Sequence, residues 1–157
     1  MSAIAIEITR EDETWPDVEV LVERAVSAAV ETGRLAHLPG AELSIVLADD
    51  AQIRSINAEW RSKDKPTNVL SFPAAPAAQI ARSPLLGDII LARETIAREA
   101  VEGGQSFEDH LTHLVIHGLL HLFGYDHETE PEAVVMEALE TRILATLGIA
   151  DPYADAA

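Results

Sequence analysis

The sequence predicts an α+β fold: a single domain in which helices pack on a small mixed β-sheet. Three observations carry that prediction. The chain has 157 residues, enough for one real core, since a chain of about 150 residues buries about 70% of its unfolded surface. Short apolar runs of strand character fall before Ala92, whereas helical periodicity dominates from residue 93 onward. No repeat, heptad run or interdomain linker divides the chain. The domain is expected over 1–150, with 151–157 a flexible C-terminal tail.

Each element has a local reason. Ala3–Ile8 alternates Ile4, Ile6 and Ile8, a half-buried strand signal. Thr14, Trp15 and Pro16 are expected to open a helix, Thr as cap and Pro in the first turn. Val18, Leu21, Val22, Ala25, Val26 and Ala29 then follow at three- and four-residue steps until Gly33 stops the run. Glu42–Ala48 reads as a second strand, ended by Asp49 and Asp50, one of which caps a short helix carrying Ile53, Ile56 and Trp60. The loop Arg61–Thr67 leads into the strand Val69–Phe72, closed by Pro73. The Ala/Pro-rich stretch Ala74–Pro84 is expected to be mobile or irregular. Leu85–Leu91 gives another strand, and helices follow at about 93–102, 106–123 and 131–147.

Composition bounds the chemistry. Apolar residues make up 48% and charged residues 24%, an ordinary globular balance rather than a disordered one. The chain has no cysteine, which excludes disulfides, thiolate zinc clusters and a cysteine nucleophile and suits a reducing cytoplasm. No run approaches about 18 apolar residues, and the N-terminus lacks the basic segment of a signal peptide, so no membrane is expected. The net charge of −16 argues against broad attraction to nucleic acid. That charge is uneven, however. Residues 51–82 hold five bases and two acids, 5 − 2 = +3, leaving 6 − 25 = −19 elsewhere. Composition alone does not separate a solvated loop from a local anion-binding rim.

Five of the six histidines lie between positions 110 and 127. A four-residue step places His117 and His121 about 40° apart on one helix face. Gly124 suits a left-handed helix terminus that turns the chain back and brings His127 to the same point. Three neutral imidazoles plus water form an open tetrahedral site, the arrangement of catalytic rather than structural zinc. The flanking residues Leu111, Leu114, Val115, Ile116, Leu119, Leu120, Leu122 and Phe123 are apolar nearly all round the helix, which implies burial. Buried imidazoles without partners cost a few kcal/mol, and metal ligation by His117, His121 and His127 supplies the compensating bonds. His113, one turn earlier, is a candidate for orienting a ligand, binding substrate or bonding internally. Asp126 is a candidate for anchoring a ligand from behind or for forming the turn. His110 and His37 read as ordinary histidines. The helix is zincin-like in its HxxxH spacing, but the glutamate that serves as base in a zinc peptidase is replaced by Gly118.

With these residues in view, the sequence resembles the YbeY family of metal-dependent endoribonucleases. The resemblance rests on Asn57–Arg61 followed by Lys65–Pro73, on Leu86–Ile90, and above all on His113–His117 through Gly124-Tyr-Asp-His127. It implies a zinc-binding ribonuclease with one Zn2+ ion, acting on single-stranded RNA in maturation of the 16S rRNA 3′ end and in ribosome quality control. His117, His121 and His127 would be the metal ligands, and Arg61 and His117 the catalytic residues. The implied partners are single-stranded rRNA and the small ribosomal subunit or its assembly factors, in the cytoplasm, with no DNA. One departure is Asn68, where the family commonly has Asp.

Both halves of the site then have expected roles. Zinc would acidify its bound water and polarise a phosphoryl oxygen. Arg61 would contact the scissile phosphate, and Lys63 and Lys65 would position its neighbours. Trp60 and Phe72 are candidates for stacking on bases, although the register of Trp60 with Ile53 and Ile56 favours core packing. Two competing readings make other forecasts. A metallopeptidase-like hydrolase would cleave peptides, and a ribosome-binding module with structural zinc would cleave neither polymer.

Overall fold

The computed structural model describes residues 3–153. A four-stranded sheet is built from β1 (Ala5–Arg10), β2 (Glu42–Ala48), β3 (Val69–Pro73) and β4 (Leu85–Ala92), in the order β1-β2-β4-β3. β1, β2 and β4 run parallel, and β3 pairs antiparallel with β4 as an edge. The helices are α1 (Glu19–Gly33), α2 (Asp50–Arg61), α3 (Arg93–Glu102), α4 (Phe107–Leu122) and α5 (Glu130–Thr146). The architecture is therefore the expected α+β domain with a mixed sheet.

Alternation along the strands makes two hydrophobic layers. Leu43, Ile45 and Leu47 of β2, with Ile89 and Leu91 of β4, join α1, α4 and α5 in the main core. Val46, Ala48, Ile90 and Ala92 point to the other face, where Ile53 and Ile56 of α2 cover them. β4 is buried on both faces from Ile89 to Ala92, which explains its nearly continuous apolar sequence. α4 lies at the centre, touching α1, α3, α5, β3 and β4. Its apolar circumference is the sequence counterpart of that position, and each fully buried Leu or Ile contributes about 1.5–3 kcal/mol.

Several boundaries differ from the sequence reading. α1 starts at Glu19 rather than at Thr14, and Val18 caps it without a side-chain bond. Trp15 is pulled into the core instead, where its indole Nε1 donates to the carbonyl of Ala48 at 2.8 Å. A buried indole needs such a partner, and reaching it keeps residues 14–17 out of the helix. Thr14 bonds to Asp12 rather than capping. β1 continues to Arg10 because its ladder with β2 outlasts the isoleucine alternation. The stretch 74–84 is anchored by a 3-10 turn at Ile80–Arg82, with Ile80 buried in the core. Trp60 is 68% exposed and meets Phe72 edge-to-face at 6.3 Å, not the core.

Candidate metal centre

The C-terminal end of α4 brings the histidines together. Ser106 caps the helix by accepting from the N–H of Asp109. Below it, Gly118 lets α4 approach the sheet: a Cβ there would lie 3.0 Å from Ile89 Cγ2 and 3.1 Å from Ser71 Oγ. The helix ends in a Schellman turn, with the N–H of Gly124 donating to His121 and that of Tyr125 to Leu120. Gly124 sits at φ +99°, and a Cβ would fall 2.6 Å from that of Ala77. Glycine is thus required there both conformationally and sterically. The reversal carries His127 back over the helix face.

His117 and His121 place their Nε2 atoms 3.1 Å apart. The ring of His127 stacks 5.5 Å from His117 and lies 5.1 Å from His121. One ring nitrogen from each histidine lies within 4.8 Å of the others. Two nitrogens on a tetrahedral zinc at its usual bond length are about 3.3 Å apart, so this donor set fits such an ion. Burial, then the neighbouring His117 and His127, lowers the pKa of His121 and favours the neutral imidazole that ligation needs.

Behind the triad stands a residue that the sequence reading missed. Glu140 of α5 is fully buried, and its Oε2 accepts from Nδ1–H of His117 at 2.7 Å. Its Oε1 accepts from Nε2–H of His113 at 2.7 Å and from the hydroxyl of Tyr153 at 2.5 Å. Burial pushes this carboxyl up, but the bonds from His113 and His117, the His117 charge and the Tyr153 bond outweigh it and hold the pKa at about 2. Glu140 is therefore an acceptor-only carboxylate, which assigns the proton of His117 to Nδ1 and frees Nε2 to face its partners. Carboxylate–histidine pairing of this kind orients metal ligands. The signal was present in the sequence: Met136, Leu139, Glu140, Ile143 and Leu144 form the buried stripe of α5, so a glutamate occupies a core position.

Among the roles offered for His113 and Asp126, the geometry favours one each. His113 is buried and bonded to Glu140, the internal-bonding role, and lies behind the triad. Asp126 accepts from the backbone N–H of its neighbour His127 at 2.8 Å, a turn role, while the anchoring of a ligand from behind falls to Glu140. His110 bonds to Glu99, which also accepts from the Asn68 amide at 2.9 Å. An aspartate at 68 could not donate that bond. Asp151–Tyr153, expected in the tail, contact the domain through Tyr153, and residues 154–157 lie outside those described.

A cleft of about 510 Å³ opens over the triad, lined by Arg61, Asn68, Ser71, Tyr125 and Asp126 among others. Arg61, the last residue of α2, thus faces the histidines across the cleft. Asp64 pairs with Arg54 at 2.8 Å, and among the described residues Arg61 has no ion pair. Lys63 and Lys65 are exposed in the turn that follows, outside the cleft lining, with their backbones tied to Asn57. Three imidazoles and a free guanidinium around one open cleft can hold a cation and an anion side by side. No helix among the described residues is long and apolar enough to cross a membrane.

The family model described as Endoribonuclease YbeY matches residues 5–148. The chain is 55% identical over 164 residues to Endoribonuclease YbeY of Agrobacterium fabrum, covering 98% of this chain and 97% of that protein. It is 54% identical over 163 residues to Endoribonuclease YbeY of Rhizobium etli, covering 98% and 95%. The solution structure of TM1509 from Thermotoga maritima is similar at a TM-score of 0.58 and 23% identity, covering 98% and 97%, a likeness of fold.

Proposed function

The chain belongs to the YbeY family of endoribonucleases, and on that premise we propose that it is a zinc-dependent endoribonuclease specific for single-stranded RNA. The observation that carries this reading is the convergence of His117, His121 and His127 opposite Arg61 in one cleft. The three histidines would hold one Zn2+ ion. When bound, the ion supplies positive charge that acidifies water and polarises a phosphoryl oxygen.

The protein's own residues do the rest. Glu140 locks the ring of His117 so that Nε2 faces the cleft. Arg61 pairs with the non-bridging oxygens of the phosphodiester and stabilises the charge that grows there during cleavage. Lys63 and Lys65 attract flanking phosphates without reading bases. Trp60, exposed beside Arg61, offers a face to an unpaired base, which favours single strands. The +3 segment draws the backbone to the site, and the acidic remainder discourages indiscriminate binding.

The biological setting we propose is maturation of the 16S rRNA 3′ end and ribosome quality control in the cytoplasm, with the small subunit or its assembly factors as partners. Lack of a base-reading motif supports it, because specificity must then come from RNA shape and assembly context. Two features count against the competing readings. Gly118 leaves no room for a peptidase base, since even a Cβ presses on Ile89 and Ser71. A structural zinc site is closed by four protein ligands, whereas these three open into a cleft.

The test incubates wild type, His117→Ala and Arg61→Glu, each assayed for zinc and fold, with a single-stranded rRNA fragment and with casein. The reading expects RNA cleavage by wild type alone, no casein cleavage, and full zinc content in Arg61→Glu. Retained cleavage by Arg61→Glu would remove the role given to that residue.

A further inference from the structure

We infer that Tyr153 is a positioning residue of the metal centre, and that the turn Asp151–Tyr153 is part of the site. The inference rests on metal binding by the three histidines. The chain of contacts runs from Tyr153 inward. Tyr153 donates its hydroxyl to Glu140 Oε1, Glu140 Oε2 accepts from His117 Nδ1–H, and the opposite nitrogen of His117 faces His121. A single side chain, Glu140, therefore separates the last described residue from the ligand cluster.

The turn is built for this contact. Asp151 Oδ1 accepts from the N–H of Tyr153 at 2.8 Å and from the hydroxyl of Thr141 on α5 at 3.1 Å, which docks the turn on the helix that carries Glu140. The ring of Tyr153 meets His113 edge-on at 5.5 Å and 89°. That leaves 43% of the residue exposed, so burial accounts for only part of its placement, while its polar tip reaches a carboxylate with no exposure at all. A carboxylate held at Oε2 alone can pivot. With Oε1 fixed by both His113 and Tyr153, its plane is set, and so is the ring of His117. A tyrosine that merely plugged the gap between α4 and α5 would need the ring and not the hydroxyl.

Tyr153→Phe separates the two roles because it deletes only the hydroxyl. Zinc affinity, measured against a chromophoric chelator, should fall about tenfold, and the visible absorption of the Co2+-loaded protein should change in band position or intensity. Equal zinc affinity and an unchanged cobalt spectrum in a folded Tyr153→Phe would overturn the inference. A second measurement needs no variant. Coupling is reciprocal, so zinc added to the wild-type chain should slow hydrogen exchange across residues 149–153. Exchange there that ignores zinc would also overturn it. If the wild type itself binds no zinc, the metal reading fails first and takes this inference with it. Zinc-binding wild type with a Tyr153→Phe that matches it in both affinity and cobalt spectrum removes the inference alone.

Discussion

Replacing Glu140 by glutamine tests the anchoring of the metal centre with almost no change in shape. The carboxylate accepts three bonds, from His113, His117 and Tyr153, at 2.7, 2.7 and 2.5 Å. Glutamine keeps one acceptor oxygen and turns the other into an NH2 group that faces a donor. With the NH2 at the Oε2 position the bond from His117 is lost outright, a charge-assisted bond worth about 1.5–3 kcal/mol, so the metal-free protein should lose at least that much. At about 2–4 °C per kcal/mol for a chain of this size, its melting temperature should fall by about 3 °C or more. The second effect is specific to the site. His117 can recover a bond to the amide only by moving its proton to Nε2, which removes the lone pair that faces His121 and His127. Zinc affinity should therefore fall about 10–100-fold. Thermal melting of the metal-free protein and a competition titration with a chromophoric chelator read the two effects separately. A Glu140→Gln protein that melts and binds zinc as wild type does would refute the assignment of Glu140 as the anchor.

Two other outcomes follow from the same geometry. Gly118→Glu would restore the peptidase pattern in sequence but not in space; forcing the side chain between α4 and the sheet should cost about 3 kcal/mol or more by urea unfolding, and casein cleavage by this variant would contradict the packing argument. Zinc affinity should also depend on pH in one direction. Ligation needs neutral imidazoles, so protons compete with zinc and affinity falls as the pH is lowered. The lowered pKa of His121 delays that loss to lower pH, and affinity that rises on acidification, in titrations between about pH 8 and pH 5, would run against the assigned ligands.

The clustering of His117, His121 and His127 is legible in the sequence because its information is local. His117 and His121 share a helix face by spacing alone, and the position of Gly124 announces the reversal that returns His127. The mixed sheet and the final three helices were readable for the same reason, each carrying its own periodicity. Glu140 was not assigned because its partners lie 23 and 27 residues away. Its place in the apolar stripe of α5 marked it as unusual without saying what it bonds. Tyr153 falls in the expected tail because nothing in a short terminal segment shows that Thr141 and Glu140 will hold it. Trp60 shows the opposite error. Its register with Ile53 is sound, but only Ile53 and Asn57 of α2 are fully buried, and Trp60 meets the ring of Phe72 on the edge strand with solvent around it. Periodicity gives the direction a side chain faces; what lies there is decided by topology. The start of α1 failed for a related reason, since the core contact of Trp15 overrides a plausible local cap.

RNA cleavage should depend on the histidine cluster being a working metal centre. The most direct test of that dependence strips the protein with a chelator, verifies by circular dichroism that it remains folded, and measures cleavage of a single-stranded rRNA fragment as zinc is returned stepwise. The metal-free protein should not cleave, and recovery should saturate at one zinc per chain. Full-rate cleavage by folded, metal-free protein would contradict that dependence.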